Sequence, residues 1–201
     1  MDKITALQTF REQLTRFVSF TDEEWLLFTA NANFKILPKK GFFAEHGRVC
    51  KEIGFILSGS VRFFHVKDGL EITNYFCFEN EYVSSYKSFL TGEPSATCIQ
   101  ALEDTELITV THAEWQRLLL HPQLAYKAER FGRLLAEHYI CCYEDRITTF
   151  VTQSPEERYL KLLETGKDIF QRMPQHYIAN YLGITPVSLS RIRKRVLETA
   201  R

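Results

Sequence analysis

The chain has no apolar run near the roughly 18 residues a membrane span needs, and Met1-Asp2-Lys3-Ile4-Thr5 lacks the basic and apolar stretches of a secretion signal. These absences predict a cytoplasmic chain without a membrane partner. Its five cysteines (Cys50, Cys77, Cys98, Cys141, Cys142) are odd in number, scattered and free of any C-x-x-C pair. That argues against a disulfide framework or a zinc ribbon and for reduced, mostly buried thiols, with redox sensing the lesser reading. The six histidines (His46, His65, His112, His121, His138, His176) contain no H-x-H pair, and no G-x-S-x-G, P-loop or H-E-x-x-H occurs. An enzyme is therefore not expected, and no catalytic residue, metal or cofactor is assigned. Net charge is also missing: 25 Lys and Arg balance 25 Asp and Glu. What is present is apolar and aromatic, with 16 Phe, 9 Tyr and 2 Trp, which excludes disorder.

Organisation changes twice along the chain. The first 33 residues read as helical, with Phe10, Leu14, Phe17 and Val18 at helical spacing and Thr21-Asp22-Glu23-Glu24 as a capping box. From Phe34 to Thr111, short runs rich in Phe, Ile, Val and Tyr alternate with turns such as Pro38-Lys39-Lys40-Gly41, Ser58-Gly59-Ser60 and Lys67-Asp68-Gly69. About eight strands at this spacing predict a double-sheet jelly roll or small barrel. Between Pro122 and Thr149 the only glycine is Gly132, which predicts a helix of about 26 residues, or ~39 Å. Such a helix either packs along its own barrel or forms a dimer seam; the seam is the favoured reading, without a coiled-coil register because His138 and Asp145 interrupt the stripe. Thr148–Gln153 reads as a hinge, and Ser154-Pro155-Glu156-Glu157 as a helix start. The expected domains are 1–120, 121–150 and 151–201, in an α+β chain of N-terminal β jelly roll, long dimerisation helix and C-terminal all-α helix-turn-helix.

Residues 175–194 read QHYIANYLGITPVSLSRIRK. A helix-turn-helix needs a small residue at the crossing, a glycine in the turn and an apolar lock. Ala179, Gly183 and the set Ile178, Leu182, Ile184, Leu189 and Ile192 meet those needs, while Thr185-Pro186 supplies cap and first turn for the second helix. The charge count agrees. Residues 171–201 hold six basic residues against one acid, Glu198, so a balance of +5 here offsets −5 over the rest of the chain. Basic residues on the second helix suit phosphate neutralisation, and an acidic remainder orients the approach to DNA. Thr185, Pro186, Val187, Ser190, Arg191 and Lys194 face away from the apolar lock and are expected in the major groove. Arg191 is assigned to a base, since bidentate Arg to guanine is the commonest specific contact. Lys194, Arg193 and Arg195 are assigned to phosphates, and Gln175 and His176 to the backbone at the first helix N-terminus.

Barrel, long helix, hinge and helix-turn-helix, in that order, resemble the Crp/Fnr family of transcription regulators over nearly the whole chain. The stretch FKILPKKGFFAEHGRVCKEIGFILSGSVRFF (34–64) is similar to the first strands of its cyclic-nucleotide-binding barrel. The resemblance implies a homodimer, joined through the 122–149 helix, on near-palindromic double-stranded DNA with half-sites about one helical turn apart. RNA polymerase is a candidate further partner. The phosphate cassette departs from the family pattern: Ser85 stands for the ribose Glu and Pro94 for the phosphate Arg, one residue closer together. A buried cyclic phosphate would then lack its counter-charge, so cyclic AMP is not the expected effector, and Lys87 could substitute only by pointing inward. Ser84, Ser85, Tyr86, Lys87, Ser95, Ala96 and Thr97 remain a candidate pocket for an unknown small molecule. The chain ends at Arg201, too soon after Arg195 for the family's two-stranded wing, and an iron–sulfur cysteine cluster at the N-terminus is not supported. The alternative is a ligand-binding jelly-roll module acting through a protein partner rather than DNA; salt-dependent DNA binding separates the two.

Overall fold

The computed structural model describes residues 2–199, apart from the side chains of Lys167, Asp168 and Thr199. Polar caps start the N-terminal helices. The Asp2 carboxylate accepts the Ile4 and Thr5 amides, each at 3.0 Å, and opens α1 (Lys3–Leu14). Thr21 and Glu24 make the expected reciprocal box before α2 (Asp22–Thr29). α1 stops at Leu14, short of Phe17 and Val18. Their amides both return to the Leu14 carbonyl at 2.9 Å, closing a turn that still buries Val18.

Eight strands follow among the described residues: β1 (Asn33–Leu37), β2 (Phe42–Ala44), β3 (Glu52–Ser58), β4 (Val61–Lys67), β5 (Leu70–Cys77), β6 (Tyr82–Val83), β7 (Cys98–Ala101) and β8 (Thr105–Thr111). They form two four-stranded sheets, ordered β1-β8-β3-β6 and β2-β7-β4-β5. β8 runs antiparallel between β1, with Asn33 opposite Thr109, and β3, with Glu52 opposite Thr111. The periodicity predicted this double-sheet roll. It did not predict α3 (Tyr86–Thr91), which interrupts the strands at the phosphate cassette.

The chain divides into two compact units. One contains the residues up to Phe63 with Phe76–His138; the other contains Phe64–Tyr75 with the residues from Tyr139 onward. In the first, aromatic rings make the core. Phe10 lies 4.9 Å from Phe55, Tyr82 5.2 Å from Phe55 and 5.6 Å from Phe131, and Trp115 6.1 Å from Phe131. Trp115 belongs to α4 (His112–Leu120), opened by a second reciprocal box of Thr111 and Glu114. It also explains the one glycine inside the long helix, α5 (Ala125–Thr152): a Cβ on Gly132 would sit 2.9 Å from the Trp115 ring. Ala128, Phe131 and Leu135 bury the first part of α5 in this unit.

Besides Phe64–Tyr75, the second unit holds the last part of α5. The hinge expected over Thr148–Gln153 is helical as far as Thr152, whose hydroxyl donates back to the Thr148 carbonyl at 2.7 Å. The break falls at Gln153–Ser154, just ahead of Pro155, whose missing amide cannot continue the helix. Ser154 and Glu157 box the start of α6 (Pro155–Thr165), with proline in the first turn. α7 (Lys167–Arg172), α8 (Gln175–Tyr181) and α9 (Pro186–Thr199) complete the unit. Residues 200 and 201, including the Arg201 of the charge count, lie outside the described residues. Among the described residues no helix is long and apolar enough to cross a membrane.

Candidate nucleic-acid interface

α8 and α9 are joined by a four-residue turn whose geometry follows from Gly183. With Gly183 at φ 69°, its amide bonds to the Asn180 carbonyl at 2.9 Å and the Ile184 amide to the Ala179 carbonyl at 3.0 Å. This is a Schellman ending, which a left-handed residue makes cheaply. The Thr185 hydroxyl then accepts the Ser188 amide at 3.1 Å and caps α9. Ile178, Ala179, Leu182, Leu189 and Ile192 are buried, and Ile184 is half-buried. Full burial of each large aliphatic side chain stabilises the pair by about 1.5–3 kcal/mol.

The opposite face of α9 is polar and open. Thr185, Pro186, Val187 (61% exposed), Ser190, Arg191, Arg193, Lys194 and Arg195 all face solvent, as do Gln175 and His176 at the start of α8. Their engagements differ. Arg193 donates to Gln175 Oε1 at 2.7 Å, tying two of the assigned backbone contacts together. Arg195 reaches Glu156 Oε2 on α6 through Nε at 3.1 Å and Nη2 at 2.6 Å. Lys194 lies 3.9 Å from Glu198, and His176 packs on the Tyr177 ring at 4.1 Å. Among the described residues no hydrogen bond or ion pair holds Arg191. The face therefore presents one uncommitted guanidinium near the middle of the helix, flanked by cations with neighbours.

The cassette residues have the opposite character. Ser95 is buried, with its Oγ 2.8 Å from Ser85 Oγ and 2.7 Å from the Thr97 carbonyl, and it accepts the Thr97 amide at 3.2 Å. Its backbone is also paired, with Gly47 and Arg48. Ser84 donates to the Glu52 carbonyl at 3.0 Å, and Ser88 both accepts the Cys50 amide and donates to the Glu93 carbonyl. Tyr86, Lys87 and Ala96 are exposed, and Lys87 pairs with Glu93 at 3.2 Å instead of pointing inward. Ser85, Ser95 and Thr97 thus come together, while Ser84 bonds to the Glu52 carbonyl and Lys87 to Glu93. An apolar cavity of about 50 Å³ in the same unit is lined by Phe55, Tyr82, Tyr86, Trp115 and Phe131 among others, and shares only Tyr86 with that set.

Cys50, Cys77 and Cys98 are buried, Cys141 exposed and Cys142 half-buried; burial pushes the Cys77 thiol well above its usual range. Among the described residues no group of three or more His, Cys, Asp or Glu is placed to hold a metal. Reading the sequence passed over two arginines of the second unit, Arg146 and Arg158, because the Tyr181 and Leu182 carbonyls they reach at the end of α8 lie 35 and 24 residues away along the chain. Burial draws the Arg146 guanidinium below its usual value, against the opposing influence of Tyr181 and Tyr75.

No protein-family model and no curated protein matches the sequence. Solved structures do match. A Crp/Fnr-family transcriptional regulator from Eubacterium rectale is 19% identical over 89% of this chain and 85% of its own, with a TM-score of 0.69. CLP, the c-di-GMP-responsive global regulator of Xanthomonas campestris, is 14% identical over 86% and 90%, at 0.67. The Thermus thermophilus catabolite activator protein is 24% identical over 94% and 88%, at 0.54. At these identities the likeness is one of fold: the chain shares with these structures a double-sheet β roll, a long helix and a helical C-terminal region.

Proposed function

We propose that the protein is a DNA-binding transcriptional regulator that reads a near-palindromic site as a homodimer, with α9 in the major groove. The observation that carries this reading is the one-sided cationic face of α9, backed by a buried apolar lock and an ordered turn. Arg191 is the base reader, Arg193 and Lys194 are phosphate contacts, and Thr185, Pro186, Val187 and Ser190 line the groove face; Gln175 and His176 approach the backbone. Arg195, paired with Glu156, exchanges that partner for a phosphate. The organisation follows: a barrel over 1–120, a dimer helix over 121–150 and a DNA-binding domain over 151–201. Exposed Ile140, Tyr143, Ile147 and Val151 on α5, spaced by three and four residues, supply an apolar seam for the second copy. Solved regulators of the same fold support the regulator class; RNA polymerase is a further partner in this reading.

Cyclic AMP is not the effector in this reading. The serine cluster is bonded within itself, Pro94 offers no charge and Lys87 points outward. Gel shift of the full chain against genomic fragments over a salt series tests the function: log affinity falls linearly with log salt if phosphates are neutralised. Absent or salt-insensitive binding overturns it in favour of a module that acts through a protein partner.

A further inference from the structure

The end of α8 leaves carbonyl groups that the helix itself cannot satisfy. Its Schellman turn takes two, those of Ala179 and Asn180. The next two, of Tyr181 and Leu182, are taken by guanidinium groups from other helices. Arg146 of α5 donates from Nη2 to the Tyr181 carbonyl at 3.0 Å. Arg158 of α6 donates to the Leu182 carbonyl from Nε at 3.2 Å and Nη2 at 3.0 Å, and from Nη1 to the Gln153 carbonyl at 2.6 Å. Phe150 lies between them, its ring centroid 4.9 Å from the Arg146 guanidinium and 4.7 Å from that of Arg158. The same ring is what a Cβ on Gly183 would strike, at 2.7 Å. Arg146 also stacks on Tyr181 at 4.0 Å.

Two cations at the negative end of a seven-residue helix are favourable, and a helix this short does not hold its own terminus. Neither arginine belongs to the exposed face of α9. Both are half-buried, and their donors point at the turn that sets the start of α9. From this clamp we infer that Arg146 and Arg158 are positioning residues for DNA recognition: they fix the α8–α9 turn to the end of α5, and so fix the reading helix relative to the seam helix. The inference rests on the DNA-binding reading and adds to it. In a dimer that meets two half-sites one helical turn apart, this attachment sets which half-site spacing is accepted.

The test is the double variant Arg146→Lys/Arg158→Lys, which keeps both charges but loses the planar fork and its stacking. A duplex selected by the wild-type protein is compared with the same duplex lengthened by one base pair and with a non-specific duplex. The expected result is about a tenfold loss of affinity for the selected duplex, on the scale of one lost base contact. Discrimination between the two spacings falls with it, while non-specific affinity and the salt slope stay at wild-type values. A preserved spacing preference with selected-site affinity within twofold of wild type overturns the clamp. So does loss of the far-ultraviolet helical signal in the lysine variants, which would assign the arginines to folding alone. Wild-type protein that binds no DNA in a salt-dependent way removes the DNA reading itself, an outcome distinct from either.

Discussion

The cassette of the barrel and the outer face of α9 are both rich in small polar and cationic residues, yet they use them in opposite ways. In the cassette, Ser85 and Ser95 are buried and face each other at 2.8 Å, and the nearby backbone is paired with the turn at Gly47 and Arg48. In α9, Arg191, Arg193 and Lys194 are exposed on a helix whose other side is buried. A hydroxyl whose hydrogen bonds are met inside the protein has little left for a ligand. An exposed guanidinium without a partner retains its whole capacity. In the proposed function this difference makes the cassette structural and α9 the binding surface.

The two sides of α9 give the largest contrast. Leu189→Ala removes a buried lock residue and is expected to cost about 2–5 kcal/mol, read by urea unfolding, whereas Val187→Ala on the exposed face stays within about 0.5 kcal/mol. Equal costs would mean that the helix has no outward face. Arg191→Ala is expected to lose about 1–3 kcal/mol at one base position and relax the preference there. Lys194→Ala should instead weaken all sequences alike and lower the salt slope by about one; binding titrations on variant duplexes at several salt concentrations distinguish the two. In the barrel, Ser95→Ala deprives Ser85 and the Thr97 backbone of a buried partner, at about 1–3 kcal/mol. Thermal unfolding reads that loss, and calorimetry with cyclic AMP should show no binding by wild type or variant.

The smallest effect is a matter of pH. The Ser154 hydroxyl and amide hold the exposed Glu157 carboxyl below its usual 4.5. Its contribution to the α6 cap is therefore present above pH 4.5 and lost as pH falls through the lower folded value. The difference in melting temperature between wild type and Glu157→Gln should shrink in that acid range. A difference that persists below the range would point to the amide's packing rather than the charge.

Much of this fold was legible because its determinants are local. The box of Thr21 and Glu24, three residues apart, forms as the spacing implied, and Ser154-Pro155 starts α6 as expected, with Glu157 closing a reciprocal box that was not anticipated. Gly183, at φ 69°, turns where the helix-turn-helix pattern required it. The errors also lie at local boundaries. α1 ended before Phe17, and α5 ran on through Thr148–Thr152, because helix ends are set within a turn of chain and sequence pattern places them only to within a few residues.

The sequence by itself determined the strand-rich region, the long helix, the starts of α2, α6 and α9, the turn at Gly183 and the collection of basic residues at one end of a neutral chain. Only the tertiary structure decided which of those charged and polar groups are engaged. Arg195 meets Glu156 across 39 residues, Arg146 meets the Tyr181 carbonyl across 35, and Ser95 turns to Ser85 across the cassette helix. The physical reason is range. Backbone preference and capping act within a turn or two of the chain, whereas the partner of a long side chain depends on which distant segment packs beside it.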